Sequence, residues 1–224
     1  AVTTYQGGLL LFGGRGATGD FLGDTWQLRD GAWQLRLSPA AACDPLSRAP
    51  RCRAGGALIP DPAGGVLLIA GHLGSAMSPE SDELIWRFAG GTWEPAAIER
   101  PPAVLSRGGH GLVPLPAPAA KQDGAASPST NEGPQALLGF GAAPDGWVRK
   151  DSYVLDFGSG QFAPQLGVAP PARVAAALAY DAARDEVIAA TGRGDVDHNL
   201  VMAGEPLLDD SWAFVRDRGW RRLR

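Results

Sequence analysis

Four times along this chain a short apolar run ends in glycine, and a loop, an acidic residue, an aromatic strand and a second aromatic follow. The first copy reads Leu9-Leu10-Leu11-Phe12-Gly13-Gly14, then Asp24-Thr25-Trp26-Gln27-Leu28, then Gly31-Ala32-Trp33. A recurrence of this kind constrains architecture before any single motif does, because one small unit cannot bury both its faces and must stack on its neighbours. The first aromatics, Trp26, Trp86, Tyr153 and Trp212, recur at intervals of 60, 67 and 59 residues. Their companions Trp33, Trp93, Phe162 and Trp220 follow after 7, 7, 9 and 8 residues.

Each unit reads as four short strands. The first is small and apolar, at residues 1–5, 56–59, 111–115 and 176–180. Turn residues follow as Gly7-Gly8, Asp61-Pro62-Ala63-Gly64-Gly65 and Asp181-Ala182-Ala183-Arg184-Asp185. The second strand is continuously apolar at residues 9–12, 66–70, 136–140 and 187–191, a pattern that predicts burial on both faces. The two aromatics mark the third and fourth strands. Four antiparallel strands per unit, marked by glycine and aromatics, predict an all-β chain: one β-propeller domain with blades at residues 1–37, 53–98, 107–165 and 173–224. The third unit also holds an insert at residues 116–135. Its Pro/Ser/Ala/Gly composition predicts a flexible loop, a tolerated insertion with recognition as the alternative.

These marks resemble the kelch repeat, in which a di-glycine ends the second strand and aromatics mark the third and fourth. The di-glycine is complete at Gly13-Gly14 and degenerate at Ala70-Gly71, Gly141-Ala142 and Thr191-Gly192. The acidic residue before the third strand stands at Asp24, Asp151 and Asp210, and is displaced to Asp82 and Glu83 in the second unit. A Pro-x-x-Arg-like lead-in is present at residues 170–173 and loosely at 102–107. The resemblance covers essentially the whole chain. It implies more blades, commonly six or seven, than the four seen here. Four blades closing alone, two chains completing a larger ring, or residues missing from the ring are the three ways to reconcile the count.

Composition narrows the function classes. A net charge of −4 argues against a nucleic-acid partner, which calls for a basic stripe. No apolar run approaches the ~20 residues that span a bilayer as a helix. Lys121 and Lys150 are the two lysines, an arginine bias that genome base composition explains as well as function does. No signal peptide is visible, so the chain reads as processed or trimmed. Cys43 and Cys52 fall in one irregular Pro/Ala/Arg-rich segment, where a bridge would stabilise by roughly 2.5–3 kcal/mol. We expect that disulfide, and with it a secreted or periplasmic location; reduced thiols in a cytosolic loop are the alternative.

Several motifs suggest chemistry and lack its context. Residues 14–19 match the dinucleotide fingerprint, but residues 20–26 lead into a strand and not the helix that would hold a pyrophosphate. Asp156-Phe157-Gly158 lacks every other kinase element and reads as a strand end and turn. Arg193-Gly194-Asp195 spells an adhesion tripeptide that chance also produces in such a loop. Residues 192–210 gather Asp195, Asp197, Asp209 and Asp210, oxygen donors for which calcium is the fitting ion; no other cofactor is expected. Their spacing matches no EF-hand, and a solvated acidic loop is the alternative. His72 and His198 occupy equivalent post-glycine loops and could converge on the axis as metal ligands or a general base, or bond locally. The copper-radical kelch oxidases use tyrosine, cysteine and histidine ligands, a set this chain does not reproduce.

The reading favoured by the sequence is a binding module. Post-glycine loops at residues 15–23, 72–81, 142–150 and 193–209 share one face with the inter-blade connections, and recognition concentrates on loops carried by a rigid scaffold. Arg15, His72, Trp147, Arg149, Arg193 and His198 are the expected contact residues for a protein or glycan ligand. Trp147 stands out because it belongs to neither aromatic position of the repeat. The alternatives are a propeller enzyme acting near the axis (a sugar isomerase, lyase or metal-dependent hydrolase) and a partial ring completed by homodimerisation.

Overall fold

The structure, a computed structural model, describes residues 1–38, 43, 49–75, 78–81, 84–99, 101–117, 133–144, 146–194 and 207–224. Blade 1 comprises β1 (Val2–Tyr5), β2 (Gly8–Arg15), β3 (Phe21–Arg29) and β4 (Ala32–Leu37). A short lead-in, β5 (Arg53–Ala54), precedes blade 2, whose inner strands are β6 (Ala57–Pro60) and β7 (Val66–Ile69). The hairpin β8 (His72–Ser75) and β9 (Ser78–Ser81) then leaves the blade to pair with β5, before β10 (Trp86–Ala89) and β11 (Thr92–Pro95) complete the blade. One helical turn, α1 (Pro102–Leu105), leads to blade 3: β12 (Gly111–Leu115), β13 (Gln135–Gly139), β14 (Ser152–Asp156) and β15 (Gln161–Pro164). Lead-in β16 (Arg173–Val174) pairs with β19 (Arg193–Gly194) beside blade 4, formed by β17 (Ala177–Asp181), β18 (Glu186–Ala190), β20 (Ser211–Val215) and β21 (Gly219–Arg222).

All four blades are antiparallel meanders. The strands β1, β6, β12 and β17 lie side by side in that order around the axis; among the described residues no comparable contact returns from β17 to β1. The architecture is a four-bladed β-propeller arrangement, as the repeat predicts.

Three apolar layers hold it together, one per blade boundary. Leu10 and Phe12 of blade 1 meet Leu68, Trp86, Phe88 and Trp93 of blade 2. Ile59, Leu67, Ile69 and Ile85 meet Ala136, Leu138, Leu155 and Phe162. Val113, Leu115, Leu137 and Phe140 meet Val187, Trp212, Phe214 and Trp220. Burying one large apolar side chain stabilises by ~1.5–3 kcal/mol, so these layers supply the main driving force.

The expectation that every second strand is buried on both faces holds for β7 and almost wholly for β13. It fails for β2 and β18, which alternate buried with half-buried positions. The difference is positional. Blades 2 and 3 have a neighbour on each side, while blades 1 and 4 have one. Sequence apolarity records which faces can be covered, and the arrangement decides which are.

Candidate functional site

A buried arginine opens each of the last three blades. Arg53, Arg107 and Arg173 are essentially inaccessible. The three belong to matching lead-ins, Pro50-Arg51-Cys52-Arg53 being the same pattern as residues 170–173, which sequence reading overlooked in blade 2. Each guanidinium is aimed at the residue just after the second strand: Arg53 Nη1 donates to Ala70 O at 3.2 Å, Arg107 Nη1 to Phe140 O at 2.9 Å, and Arg173 Nη1 to Thr191 O at 2.9 Å. In two blades the guanidinium then reaches the acidic residue before the third strand. Arg107 Nη2 donates to Asp151 Oδ2 at 2.8 Å, and Arg173 Nη2 to Asp210 Oδ2 at 2.9 Å. Trp212 Nε1 donates to the same Asp210 oxygen at 2.7 Å, and Trp26 Nε1 bonds Asp24 in the same way. That is the physical role of the repeated acidic residue.

The carbonyls are available because the chain turns left-handed there. Ala70, Phe140 and Thr191 have φ of 56°, 66° and 58°, and Gly71, Gly141 and Gly192 follow at 100°, 96° and 105°. The pair in blade 3 is therefore Phe140-Gly141, one residue earlier than the degenerate Gly141-Ala142 assigned from sequence. In all three degenerate copies the second glycine survives. A Cβ on Gly141 would lie 2.9 Å from both Gly108 O and the His110 Cβ, so backbone approach demands glycine there. Phe140 bears the left-handed conformation at a cost of ~1–2 kcal/mol, offset by its fully buried ring against Trp220 and the Arg173 guanidinium.

These lead-ins are stitched to one another. Gly71 N donates to Arg107 O at 2.8 Å and Gly141 N to Arg173 O at 2.9 Å, each bridging one blade to the next. Gly109 N donates to Gly55 O at 2.7 Å and Ala175 N to Gly109 O at 2.9 Å, a second chain of bonds across successive blades. With their donors satisfied within the fold, the arginines hold architecture and are not offered to a ligand.

Two histidines lie within this framework. His72 Nε2 is 2.8 Å from Ala142 O, which joins blade 2 to the post-glycine loop of blade 3. Burial lowers its pKa, partly opposed by that bond. His110 is buried, neither ring nitrogen has a partner, and its pKa falls to about 3 through burial, with the Arg107 and His72 charges adding to the shift. It is a neutral, sealed imidazole, and a stretch of sequence alone gives no sign of this.

The expected contact residues divide. His72 is joined to the 142–150 loop, where Ala143 N donates to Trp147 O and Arg149 N to Gly141 O, at 2.9 and 2.7 Å. That turn holds Trp147 47% exposed on a fastened backbone. Arg149 is half-buried beside it, and its carbonyl accepts from Arg173 N. Arg15 is exposed at the end of β2, folded over Gly19 of its own loop, and Arg193 is exposed on β19 opposite Val174. His198, Asp195 and Asp197 lie outside the described residues. Asp209 is exposed, while Asp210 is committed to Arg173 and Trp212. Among the described residues no group of three or more His, Cys, Asp or Glu could hold a metal. Most of the 116–135 insert is likewise outside them.

The motifs set aside on sequence grounds resolve structurally. Gly16 N bonds Asp20 O and the chain enters β3 at Phe21. Asp156 closes a turn by accepting from Ser159 N and Oγ, which lowers its pKa. Cys43 and Cys52 form a disulfide with Cα atoms 5.0 Å apart, tying the long connection to the residue beside Arg53. Among the described residues no helix is long and apolar enough to cross a membrane.

The fold and these lead-ins define the class: a β-propeller of four antiparallel blades. Its comparisons are consistent with that and go no further. The chain is similar to the solved structure of YjhT, with a TM-score of 0.67, 16% identity, and coverage of 99% of this chain and 68% of that one. No family model matches, and no curated protein does.

Proposed function

We propose that this propeller is a kelch-like binding module whose post-glycine end takes a protein or carbohydrate ligand. Trp147 carries the reading: a large aromatic, 47% exposed, on a turn fixed by main-chain bonds on both sides and joined to His72 through Ala142. A rigid indole with arginine nearby offers an apolar face and charged donors at low entropic cost, the combination found at binding hot spots. Trp86, Trp93, Trp212 and Trp220 are buried in the packing between blades, whereas Trp147 stands half exposed on a loop. An extracytoplasmic location belongs with this reading, supported by the Cys43–Cys52 bridge.

The test is a glycan array and a pull-down with purified chain, repeated with Trp147→Ala and Arg193→Ala. We expect at least tenfold weaker capture for Trp147→Ala at unchanged melting temperature. Ligand capture that Trp147→Ala leaves intact would place recognition elsewhere.

A further inference from the structure

The boundary between blades 1 and 2 turns polar at one end. The turn at Gln6-Gly7 begins β2 and the post-glycine loop ends it, so the two lie at opposite ends of the blade. Beside that turn two adjoining hollows of about 540 Å³ and about 200 Å³ lie between the blades, sharing Tyr5, Gln6 and Gly90. The smaller is also lined by Gln27, Arg36 and Phe88. Gln27 is buried at a position that is apolar elsewhere: Val154 follows Tyr153 as Gln27 follows Trp26, and Val154 packs on the Trp220 layer. In blade 2 the same position holds Arg87, whose Nε donates to Asp61 at 2.7 Å. Packing between blades does not call for a glutamine here, and burying an amide costs free energy unless it is well bonded.

The bonds around Gln27 leave a surplus of one kind. Arg36 Nε donates to Gln27 Oε1 at 3.0 Å and Arg36 Nη2 to Gln34 Oε1 at 2.8 Å, while Gln27 Nε2 reaches Gln6 Oε1 only at 3.5 Å. Every amide oxygen of the group therefore accepts, and what remains unbonded is N–H and O–H. Among the described residues nothing accepts from Arg36 Nη1, from Gln6 Nε2 or from the Tyr5 hydroxyl, and no carboxylate pairs with Arg36. Tyr5 is itself buried, its ring edge-on to Phe88. The two glutamines occupy the Nε–Nη2 edge of the guanidinium, which fixes the side chain and leaves its outer Nη1–Nη2 edge without a protein acceptor.

We infer that this cleft binds a small organic monocarboxylate, its carboxylate in the smaller hollow and its uncharged body in the larger. An ionised carboxylate only accepts hydrogen bonds, which is what a hollow rich in unbonded donors requires, and the outer edge of a guanidinium takes it through two parallel bonds. The Gln27 amide and the Tyr5 hydroxyl are the neutral donors beside Arg36. The body is uncharged because no residue lining the larger hollow carries a charge at neutral pH, and Pro60, Ala63 and Ala89 give it apolar walls. The larger hollow falls within the range of small-molecule sites. This site is distinct from the Trp147 turn, and neither reading depends on the other.

Amide NMR titration of the whole chain with phenylacetate and with hexanoate tests it, with phenylacetamide, adipate and chloride as controls. Both monocarboxylates shift the Gly65, Gly90 and Gly91 amides saturably and leave those of Gly141 and Gly192 in place, and Trp147→Ala changes none of this. Phenylacetamide on wild-type chain, and either acid on Arg36→Gln, bind at least ~tenfold more weakly, the loss of a charge-assisted pair. Arg36→Gln keeps the wild-type melting temperature, and the phenylacetamide comparison holds whatever that variant does to folding. Tyr5→Phe, which keeps the ring on Phe88, weakens binding about fivefold. Amides that neither acid moves overturn the inference, as do shifts that phenylacetamide matches or that survive Arg36→Gln. Adipate binding as tightly as hexanoate overturns the uncharged body, and shifts that chloride reproduces mean an adventitious ion only.

Discussion

Arg173 and Asp210 form a two-point ion pair at the root of blade 4, with Nη1 2.8 Å from Oδ1 and Nη2 donating to Oδ2 at 2.9 Å. The arginine is wholly buried and the carboxylate nearly so. Removing one partner strands a buried charge, so Arg173→Met or Asp210→Leu alone is expected to cost ~3–5 kcal/mol, and the double replacement considerably less. Urea denaturation of the four proteins measures this. The Asp210 pKa is held low, chiefly by the Arg173 bond. A lowered folded-state pKa stabilises above the unfolded carboxylate range and is lost as pH falls through the folded value, so this contribution disappears only in strong acid.

His110 sets a different pH window. Its folded-state pKa is about 3 against an ordinary 6.5, so the unfolded chain takes up a proton that the folded chain refuses. Stability from the neutral imidazole is complete above pH ~6.5 and falls as the pH drops toward 3. His110→Leu is expected to flatten the urea midpoint between pH 6.5 and 4, relative to wild type. An unchanged slope in that interval would mean the imidazole is reached by water.

Gly141→Ala tests the tight approach of lead-in and strand end. The added Cβ meets Gly108 O and His110 Cβ at 2.9 Å on a backbone with φ of +96°. Both strain and clash act together, and a loss of more than ~2 kcal/mol is expected. Gly90→Ala, where a Cβ meets nothing within 4 Å, gives the contrast: strain without clash and a smaller fall in melting temperature.

Ser152 and Trp220 couple blades 3 and 4 across 68 residues of sequence. A double-mutant cycle with Ser152→Ala and Trp220→Phe is expected to give a coupling of ~1 kcal/mol, with each single variant less stable than the pair. Applied to Ile85→Thr and Phe162→Trp, the cycle is expected to run in the opposite sense, the double variant recovering what each single one loses. Thermal unfolding of the seven proteins, with wild type common to the two cycles, reads out both.

Within this molecule, repeats, turns and strands were legible because their causes are local. Alternating or continuous apolarity, a left-handed glycine and an aromatic at fixed spacing act over a few residues, and four antiparallel blades followed from them. Trp147 stood out in the sequence by belonging to neither repeat position, and His72 by its equivalent loop, but the bond that joins His72 to the loop carrying Trp147 spans 70 residues. Arg107 and Arg173 were visible as lead-in residues and Arg53 was not, and none was visible as a buried anchor, since their partners Phe140, Thr191 and Ala70 stand 33, 18 and 17 residues further along.

The sequence by itself determined that this chain makes four antiparallel blades, because hydrogen bonding and side-chain alternation within each meander need nothing from outside it. The tertiary structure alone decided which glycine each turn must keep, that His110 is neutral, and that Trp93 and Trp220 are sealed between blades. Those properties depend on what packs against a residue, and packing joins positions that the order along the chain holds far apart.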